Sequence, residues 1–431
     1  MNKLSRFWQI AIPVALLLGA ILRLSFVQDM EYKEDEEYNF TQTTLTHTQG
    51  WPSVGIASGV YLVNPAMSVW VFIALAKLTR SQTPTELAHA LQLFSLLGIF
   101  LIIPFALYFV KEEPERELWL WSYLIAMVNP FQILYERKLW PEPFLPFFCM
   151  LMLMGFWRRK NIAWAFVWGL VGAVLGQIHM SGFFMAFALF AWTVLFKRNG
   201  THFRGWFAGS VVGSLPLIPW LSYTLSHPTH EKMVAGLSEF FQFKYWVFWV
   251  TDPLGLHLGN PLGLLRGGSN LDQIADFVRY PLFQGHPTFV VGIAHLTLFL
   301  TAVLVLVGFV RARWKLRAKL DWRGLRSETA FAQNAAFLGC GIVLSVTTVV
   351  IRRYYMVTTF PFEMIWLVGL CFGLGSRRKA IISLSTIVAC ELVISAGFVH
   401  YIHTNHGSIM GDYGQSYARV IEARQTPKLS P

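Results

Sequence analysis

The chain has 431 residues, of which 55% are hydrophobic and 14% charged, and its mean hydropathy is +0.47. A soluble globule could not bury this much apolar surface, so the composition excludes that class and indicates an integral membrane protein. The net charge of +11 does not indicate nucleic-acid binding, because the basic residues of a polytopic protein collect in its inner loops.

The first apolar segment, residues 7–27, follows Lys3 and Arg6 in the manner of a signal sequence. It is long, and no small-residue cleavage site precedes Gln28, so we expect a retained anchor. Further uncharged runs are long enough to cross a hydrocarbon core of about 30 Å as helices. They predict an all-α polytopic membrane protein with about eleven transmembrane helices, near residues 7–27, 90–110, 118–135, 143–157, 162–179, 182–197, 205–223, 289–310, 330–350, 358–375 and 380–402.

The basic clusters set the predicted orientation. They lie at residues 158–160, 197–204, 311–326 and 377–379, and all four fall on the cytoplasmic side if the N-terminus is cytoplasmic. A crossing by the apolar residues 61–78 would break this pattern, so we expect an interfacial helix there on the outer surface.

The predicted spans divide the chain into one transmembrane domain, residues 1–402, and a short outer tail, residues 403–431. The domain contains a first outer loop at residues 28–89 and a large outer loop at residues 223–288. The four cysteines lie inside apolar segments without paired spacing, which predicts neither a disulfide framework nor a zinc site.

An acidic cluster follows the first span in a chain that is otherwise short of carboxylates. We call residues 29–37 the acidic loop, because six of the 24 Asp and Glu residues lie there. These residues by themselves fit a general base, a divalent-metal site or a solvated charged loop. The six are Asp29, Glu31, Glu34, Asp35, Glu36 and Glu37.

Polar residues recur where three other helices are expected to emerge on the same side. The second turn (residues 137–142), the third turn (179–181) and the late turn (352–355) are short and carry cations, histidine and tyrosine. Carboxylates and cations meeting at one membrane face suit an anionic substrate that is attacked by a nucleophile losing a proton. A lipid phosphate carrying a sugar has that chemistry. The residues are Arg137, Lys138, Glu142, His179, Ser181, Arg352, Arg353, Tyr354 and Tyr355.

Three stretches resemble motifs of the C-type (GT-C) glycosyltransferases, in the branch of protein O-mannosyltransferases and aminoarabinose (ArnT-like) transferases. The stretches are Asp35-Glu36 with Tyr38, residues 129–142, and Arg353-Tyr354-Tyr355 ahead of Phe360-Pro361. The resemblance implies an inverting glycosyltransferase with a polyprenyl-phosphate sugar donor and catalysis on the outer face of the cell membrane.

The resemblance also implies roles for individual residues. Asp35 would be the general base, supported by Glu36, although Glu34 or Glu37 could occupy that position in a run of four acids. The donor phosphate would be bound by Arg137, Arg353, Arg352 and His179. The remaining substrate contacts would come from Glu142, Tyr354 and Tyr355. Relatives often place a lysine where this chain has Gln177-Ile178-His179, and a histidine can still donate to phosphate.

The expected partners are the lipid bilayer, the polyprenyl-phosphate sugar and an acceptor that is a lipid, a glycan or a protein. No cofactor is assigned, and a divalent metal at the acidic loop is left open. A flippase for lipid-linked sugars is one alternative, with Glu363 and Glu391 as its ionisable candidates at membrane depth. Another is an O-antigen polymerase or ligase, which would rely on Lys232, Lys244, Arg266 and Arg279 in the large outer loop. A purely structural scaffold gives no reason for the acidic loop.

Overall fold

The computed structural model describes residues 4–57, 63–227, 242–255, 276–315, 321–347, 350–408 and 413–425. Short 3-10 turns lie at Val27–Asp29, Glu142–Phe144, Leu215–Leu217 and Arg353–Thr359, and a π-helical turn lies at Ala335–Cys340. The α-helices are Arg6–Leu24, Glu34–Gln49, Met67–Thr79, Pro84–Phe100, Ile102–Tyr108, Glu113–Val128, Pro130–Glu136, Leu145–Trp157, Ile162–Ile178, Ser181–Phe196, Phe203–Ser214, Ile218–Ser226, Lys244–Thr251, Val290–Lys315, Glu328–Asn334, Gly341–Val346, Phe362–Phe372, Arg377–Thr404 and Tyr417–Gln425.

Strands are few in the described residues. Val54–Ala57 pairs antiparallel with Val63–Pro65, and Leu282–Phe283 pairs with His286–Pro287. The predicted interfacial segment, residues 61–78, becomes a strand followed by the helix Met67–Thr79, and its first two residues lie outside the described part. Lys232 and Arg266 of the large outer loop also lie outside it.

The helices confirm an all-α polytopic membrane fold. Within the described residues, five helices are long and apolar enough to cross a bilayer, and a sixth crossing is formed if Arg353–Thr359 and Phe362–Phe372, bent by 78°, count as one. The number eleven therefore stays a prediction. The five are Arg6–Leu24, Pro84–Tyr108, Val290–Lys315, Glu328–Val346 and Arg377–Thr404.

The helix Glu113–Val128 occupies the centre of the bundle. Its residues 119–128 are all buried, because this stretch is apolar on every side and a helix of that kind needs neighbours all round. The helices Arg6–Leu24, Phe362–Phe372 and Arg377–Thr404 pack against it. The central helix ends at Asn129 and leads to the second turn.

Small residues let the helices Ile162–Ile178 and Phe203–Ser214 pack unusually closely. A Cβ atom added at Gly169 would lie 2.0 Å from the carbonyl oxygen of Trp206, and one at Gly209 would lie 2.0 Å from that of Phe166. Close backbone approach at glycine is typical of helix pairs in membranes, where lipid offers no hydrophobic drive for association. The first helix of this pair ends at Ile178 and leads directly into the third turn.

A buried ion pair joins the first helix to the residues before the second turn. Arg23 pairs with Glu136, and its guanidinium also donates to the carbonyl of Met127 at 2.7 Å. Ser95 donates to the other Glu136 oxygen at 2.5 Å. Buried charges persist only when they are paired and hydrogen-bonded. The network therefore holds the start of the acidic loop next to the second turn.

Candidate active site

The acidic loop turns directly into a helix whose first turn holds four consecutive carboxylates. The helix begins at Glu34, and negative charge in a first turn is favoured by the partial positive charge of a helix N-terminus. Glu36 is buried and accepts a hydrogen bond from the backbone N–H of Lys33 at 2.9 Å. Glu37 forms a two-pronged ion pair with Arg424 at 2.8 and 2.9 Å. Two of the four carboxylates are thereby engaged in holding the structure.

The other two carboxylates, Glu34 and Asp35, are solvent-accessible and border a cavity of about 600 Å³. Ser408, Gly414 and Gln415 contribute to its lining from the C-terminal part of the chain. A cavity of this volume is in the usual range for small-molecule sites. The arrangement places the predicted base, Asp35, where a substrate group can reach it.

The surroundings of the acidic loop change the proton affinity of its carboxylates. Partial burial raises the pKa of Asp35, although the charge of Lys33 opposes the rise. Burial raises the pKa of Glu36 to about 7, the Glu31 carboxylate adds to this effect, and Lys138 opposes it. A general base is most effective when its pKa lies near the working pH. The raised pKa of Asp35 is therefore in the direction that such a role needs.

Arg137 opens the second turn, and its guanidinium is bonded to the end of the first helix. The side chain is fully buried. It donates to the carbonyls of Arg23 and Ser25 at 3.2 and 2.9 Å and to that of Phe26 at 2.7 Å. The Arg23 carbonyl is one that a helix C-terminus leaves without a helical partner, and the other two carbonyls follow the end of the helix at Leu24. The geometry favours a capping role for Arg137 over the predicted contact with a donor phosphate.

Lys138 follows Arg137 and lies inside the acidic cluster. Its ammonium pairs with Glu31, which is itself fully buried and also pairs with the exposed Lys33. The same ammonium lies 4.3 Å from the ring centroid of Trp140 and 5.4 Å from that of Tyr135. The acidic loop and the second turn thus form one charged cluster.

The third turn and the late turn meet this cluster at Glu142. The His179 Nε2 atom lies 3.6 Å from a Glu142 oxygen, and its Nδ1 atom lies 2.6 Å from the hydroxyl of Ser181. The His179 ring packs edge-on against the rings of Tyr354 and Tyr355, with centroid distances of 5.7 Å to each. Residues that are far apart in sequence therefore lie together at this point.

The two arginines of the late turn have different surroundings. Arg353 is buried, and its Nε atom donates to the Asp252 carboxylate at 3.0 Å while its guanidinium lies 4.8 Å from the Phe131 ring centroid. Arg352 is exposed and lies within electrostatic range of Tyr354. The solvent-facing cation of this turn is thus Arg352, whereas Arg353 is held against Asp252.

Long-range electrostatics connect these parts into one site. Glu142 interacts with Asp35 and Lys138, and Tyr354 interacts with Asp35 and Arg352. The acidic loop, the second turn, the third turn and the late turn therefore converge. Of the predicted site residues, Arg137 and Arg353 are the two whose guanidinium groups are turned to protein partners.

The C-terminal segment, residues 413–425, is a part of the site that the sequence reasoning missed. The Tyr32 N–H donates to the Gln415 carbonyl at 3.1 Å, and the Tyr417 N–H donates to the Met30 carbonyl at 2.8 Å. The segment therefore pairs with the backbone of the acidic loop. No local pattern predicts this pairing, because its partners lie at opposite ends of the chain.

Two buried acids, Glu31 and Asp252, were also missed as structural anchors. Glu31 was counted in the acidic cluster but given no role, and Asp252 belongs to the large outer loop. The signal for Asp252 in the sequence was a single carboxylate shortly after the apolar residues Trp249 and Val250. Such a group is buried only with a partner, and that partner is Arg353.

A divalent metal ion was one interpretation of the acidic loop. Among the described residues, no group of three or more His, Cys, Asp or Glu side chains is arranged to hold a metal ion. Positive charge inside the acidic cluster comes from Lys33 and Lys138.

Comparisons with known proteins show similarity to solved structures. No family model matches the chain, and no curated protein matches it. The Archaeoglobus fulgidus oligosaccharyltransferase in its apo form is 12% identical, with a TM-score of 0.49, over 98% of this chain and 59% of that one. ArnT from Cupriavidus metallidurans bound to undecaprenyl phosphate is 14% identical, with a TM-score of 0.42, over 94% and 79%.

A third structure is the same archaeal enzyme, AglB, in complex with an inhibitory peptide and a dolichol-phosphate, at 12% identity and a TM-score of 0.49. This chain spans less than two thirds of the oligosaccharyltransferase, 58% in that comparison. Identities and TM-scores this low carry no substrate or residue role over to this chain.

Proposed function

We propose that the protein is an inverting glycosyltransferase that moves a sugar from a polyprenyl-phosphate donor to an acceptor on the outer face of the membrane. One observation carries the proposal: a cavity-facing carboxylate, Asp35, lies in the same charged cluster as His179 and the exposed Arg352. A base for the acceptor and cations for a leaving phosphate are the two requirements of this reaction.

Asp35 is the best-supported base of the four consecutive acids. Glu36 caps the acidic helix, and Glu37 is paired with Arg424 away from the cavity lining. Glu34 borders the cavity too, but Asp35 is the one that also interacts electrostatically with Glu142 and Tyr354. The reaction therefore uses Asp35, and Glu34 serves as its natural control.

In the proposed step, the nucleophilic atom of the acceptor attacks the anomeric carbon while Asp35 takes the proton from that atom. A new bond forms between acceptor and sugar, and the bond between the anomeric carbon and the phosphate oxygen breaks. The electron pair leaves with the phosphate, which departs as polyprenyl phosphate. Attack opposite to the leaving group inverts the anomeric carbon, and Asp35 later returns its proton to water.

The departing phosphate gains negative charge, and the exposed Arg352 is a cation that can act on that charge. Arg352 can hold two phosphate oxygens at once, because a guanidinium presents parallel N–H donors. His179 is oriented by Ser181 and Glu142 and supplies a ring N–H. Tyr354 and Tyr355 pack against His179 and shape the wall beside the sugar.

The test uses purified protein reconstituted into vesicles with a panel of polyprenyl-phosphate sugars. We expect loss of one donor with release of polyprenyl phosphate, and Asp35→Asn is expected to lower the rate by about 10²-fold to 10⁴-fold, the usual contribution of a general base. Glu34→Gln, at the same cavity, should keep most of the activity. If Asp35→Asn keeps full turnover, Asp35 is not the base. If the native protein consumes no donor of the panel, it does not catalyse this class of reaction.

A lipid-linked sugar transporter is the second candidate, and Glu391 is the observation that favours it. Glu391 is fully buried near the middle of the helix Arg377–Thr404 and accepts a hydrogen bond from Asn129 at 3.1 Å. An ionisable group at that depth often marks a proton pathway. Transport driven by a proton gradient, lost in Glu391→Gln without donor cleavage, would support this function instead.

A further inference from the structure

Lys138 is a buried lysine held among aromatic rings. Its side chain is 2% exposed, which is rare for lysine unless its charge is compensated. The ammonium lies 4.3 Å from the ring centroid of Trp140, 5.4 Å from that of Tyr135 and 5.8 Å from that of Tyr413. Aromatic faces attract cations, and the attraction is stronger when water is excluded. The three rings form a cage around the charge.

The cage joins three parts of the chain, so the ammonium has a fixed position. Tyr135 and Trp140 flank Lys138 along the chain, Glu31 belongs to the acidic loop, and Tyr413 belongs to the C-terminal segment. The Tyr413 hydroxyl donates to the Asp29 carbonyl at 2.6 Å, which holds that ring against the acidic loop.

The charge of Lys138 acts on more carboxylates than the one it contacts. It pairs with Glu31 and lies within electrostatic range of Asp35, Glu36 and Glu142. Lys33, Glu31 and Glu34 are the other charged neighbours of Asp35. Lys33 is half-exposed, so solvent screens its charge, whereas the charge of Lys138 is screened much less.

We propose that Lys138 is a positioning residue, a fixed internal cation that keeps Asp35 and the carboxylates beside it in their reactive arrangement. The inference rests on the proposed function and extends it to a residue to which the sequence pattern assigned no role. Preorganised charges of this kind support catalysis because they require no rearrangement during the reaction. Lys138 touches neither donor nor acceptor in this role, so it affects the rate of the chemical step.

The test compares Lys138→Met, which removes the charge, with Lys138→Arg, which keeps it. For Lys138→Met we expect kcat to fall by about 10²-fold, the scale of a small misplacement of reacting groups, while the KM for the donor stays unchanged. Lys138→Arg should recover most of kcat, because a guanidinium also pairs with carboxylates and stacks on aromatic rings. Lys77→Met removes an exposed lysine beside the Trp51 ring and should behave as the native protein.

A double variant separates catalysis from folding. Glu31→Gln with Lys138→Met removes both partners of the buried pair, so it should fold at least as well as Lys138→Met alone. We expect it to remain slow, because the cation acting on Asp35 is still absent. Native kcat in the double variant, or in Lys138→Met, overturns the inference and leaves the proposed function intact. Native protein that cleaves no donor overturns both.

Discussion

Glu36 links the chemistry of the acidic loop to the stability of the protein. It is buried near Glu31, and burial raises its pKa to about 7, whereas the pKa of glutamate in an unfolded chain is about 4.3. Between these values the folded protein holds a proton that the unfolded chain releases. The stabilisation is complete below the unfolded pKa and is lost as pH rises through the folded pKa.

We therefore predict that the free energy of unfolding decreases as pH rises from about 4.5 to about 7, and that Glu36→Gln reduces this slope. Thermal unfolding in detergent across this range measures it. Glu37→Gln is the control, because Glu37 should contribute a pH dependence of the free energy of unfolding with the opposite sign. The ion pair with Arg424 lowers the pKa of Glu37, so its stabilisation is present at neutral pH and is lost under acid. An unchanged slope in Glu36→Gln contradicts the prediction.

Substitution of the two arginines of the late turn should have different effects, one on turnover and the other on stability. Arg352→Ala removes an exposed cation, and we expect correctly folded protein whose donor turnover falls by about 10²-fold to 10³-fold. Arg353→Ala removes the cation that pairs with buried Asp252, and the expected cost is about 3 to 5 kcal/mol of stability.

Detergent-stable yield and donor kinetics together distinguish the two effects. Arg352→Lys is the matched control, because it keeps the charge without the planar fork and should retain part of the activity. Stable Arg353→Ala protein with a weakened affinity for donor would show that the phosphate contact belongs to Arg353 after all.

At the scale of elements, the C-terminal segment and the acidic loop behave as one unit. Backbone bonds join Tyr32 to Gln415 and Met30 to Tyr417, and the rings of Tyr32 and Tyr417 pack at 5.0 Å. Backbone pairing of this kind fixes a loop more firmly than an exposed ion pair does, because water and salt compete with the ion pair.

Ending the chain after residue 412 should therefore abolish donor turnover while the protein still inserts. The acidic loop loses its backbone partners, and the Lys138 cage loses Tyr413. Arg424→Ala is the mild control, because its pair with Glu37 is solvent-exposed and its loss should leave most of the activity. Limited proteolysis within the acidic loop reports the predicted loosening. Unaltered activity after truncation would contradict a role for the segment.

For the molecule as a whole, the predicted orientation depends on which segments cross the membrane. The helical stretch Pro84–Tyr108 has 25 residues, and at 1.5 Å per residue it is about 37 Å long, enough to span the hydrocarbon core. The residues that precede and follow it should lie on opposite sides.

Single cysteines at the exposed positions 82 and 113 test this orientation through a thiol reagent that cannot cross the membrane. The native cysteines are buried, so their background labelling should be low. We expect labelling from outside at position 82 and protection at position 113. Labelling of both from the same side would show that the stretch does not cross, and the outer position of the acidic loop would need to be reassigned.

The sequence was a good guide to the class of fold. Hydropathy is a local property, so apolar runs show which stretches can become membrane helices without knowledge of their neighbours. The same holds for the acidic loop and for the polar turns, which stand out against apolar surroundings. The structure joins these turns at Glu142, His179 and Tyr354.

The roles within the site depended on contacts between distant residues. Asp35 differs from Glu36 and Glu37 only in what lies around each carboxylate, and Arg352 differs from Arg353 because Asp252 reaches one of them. Burial, ion pairing and the Lys138 cage arise when segments hundreds of residues apart come together. The sequence by itself therefore determined a helical membrane protein with an acidic loop after its first helix, and the tertiary structure decided which charges meet the cavity, because electrostatic environment is a property of packing.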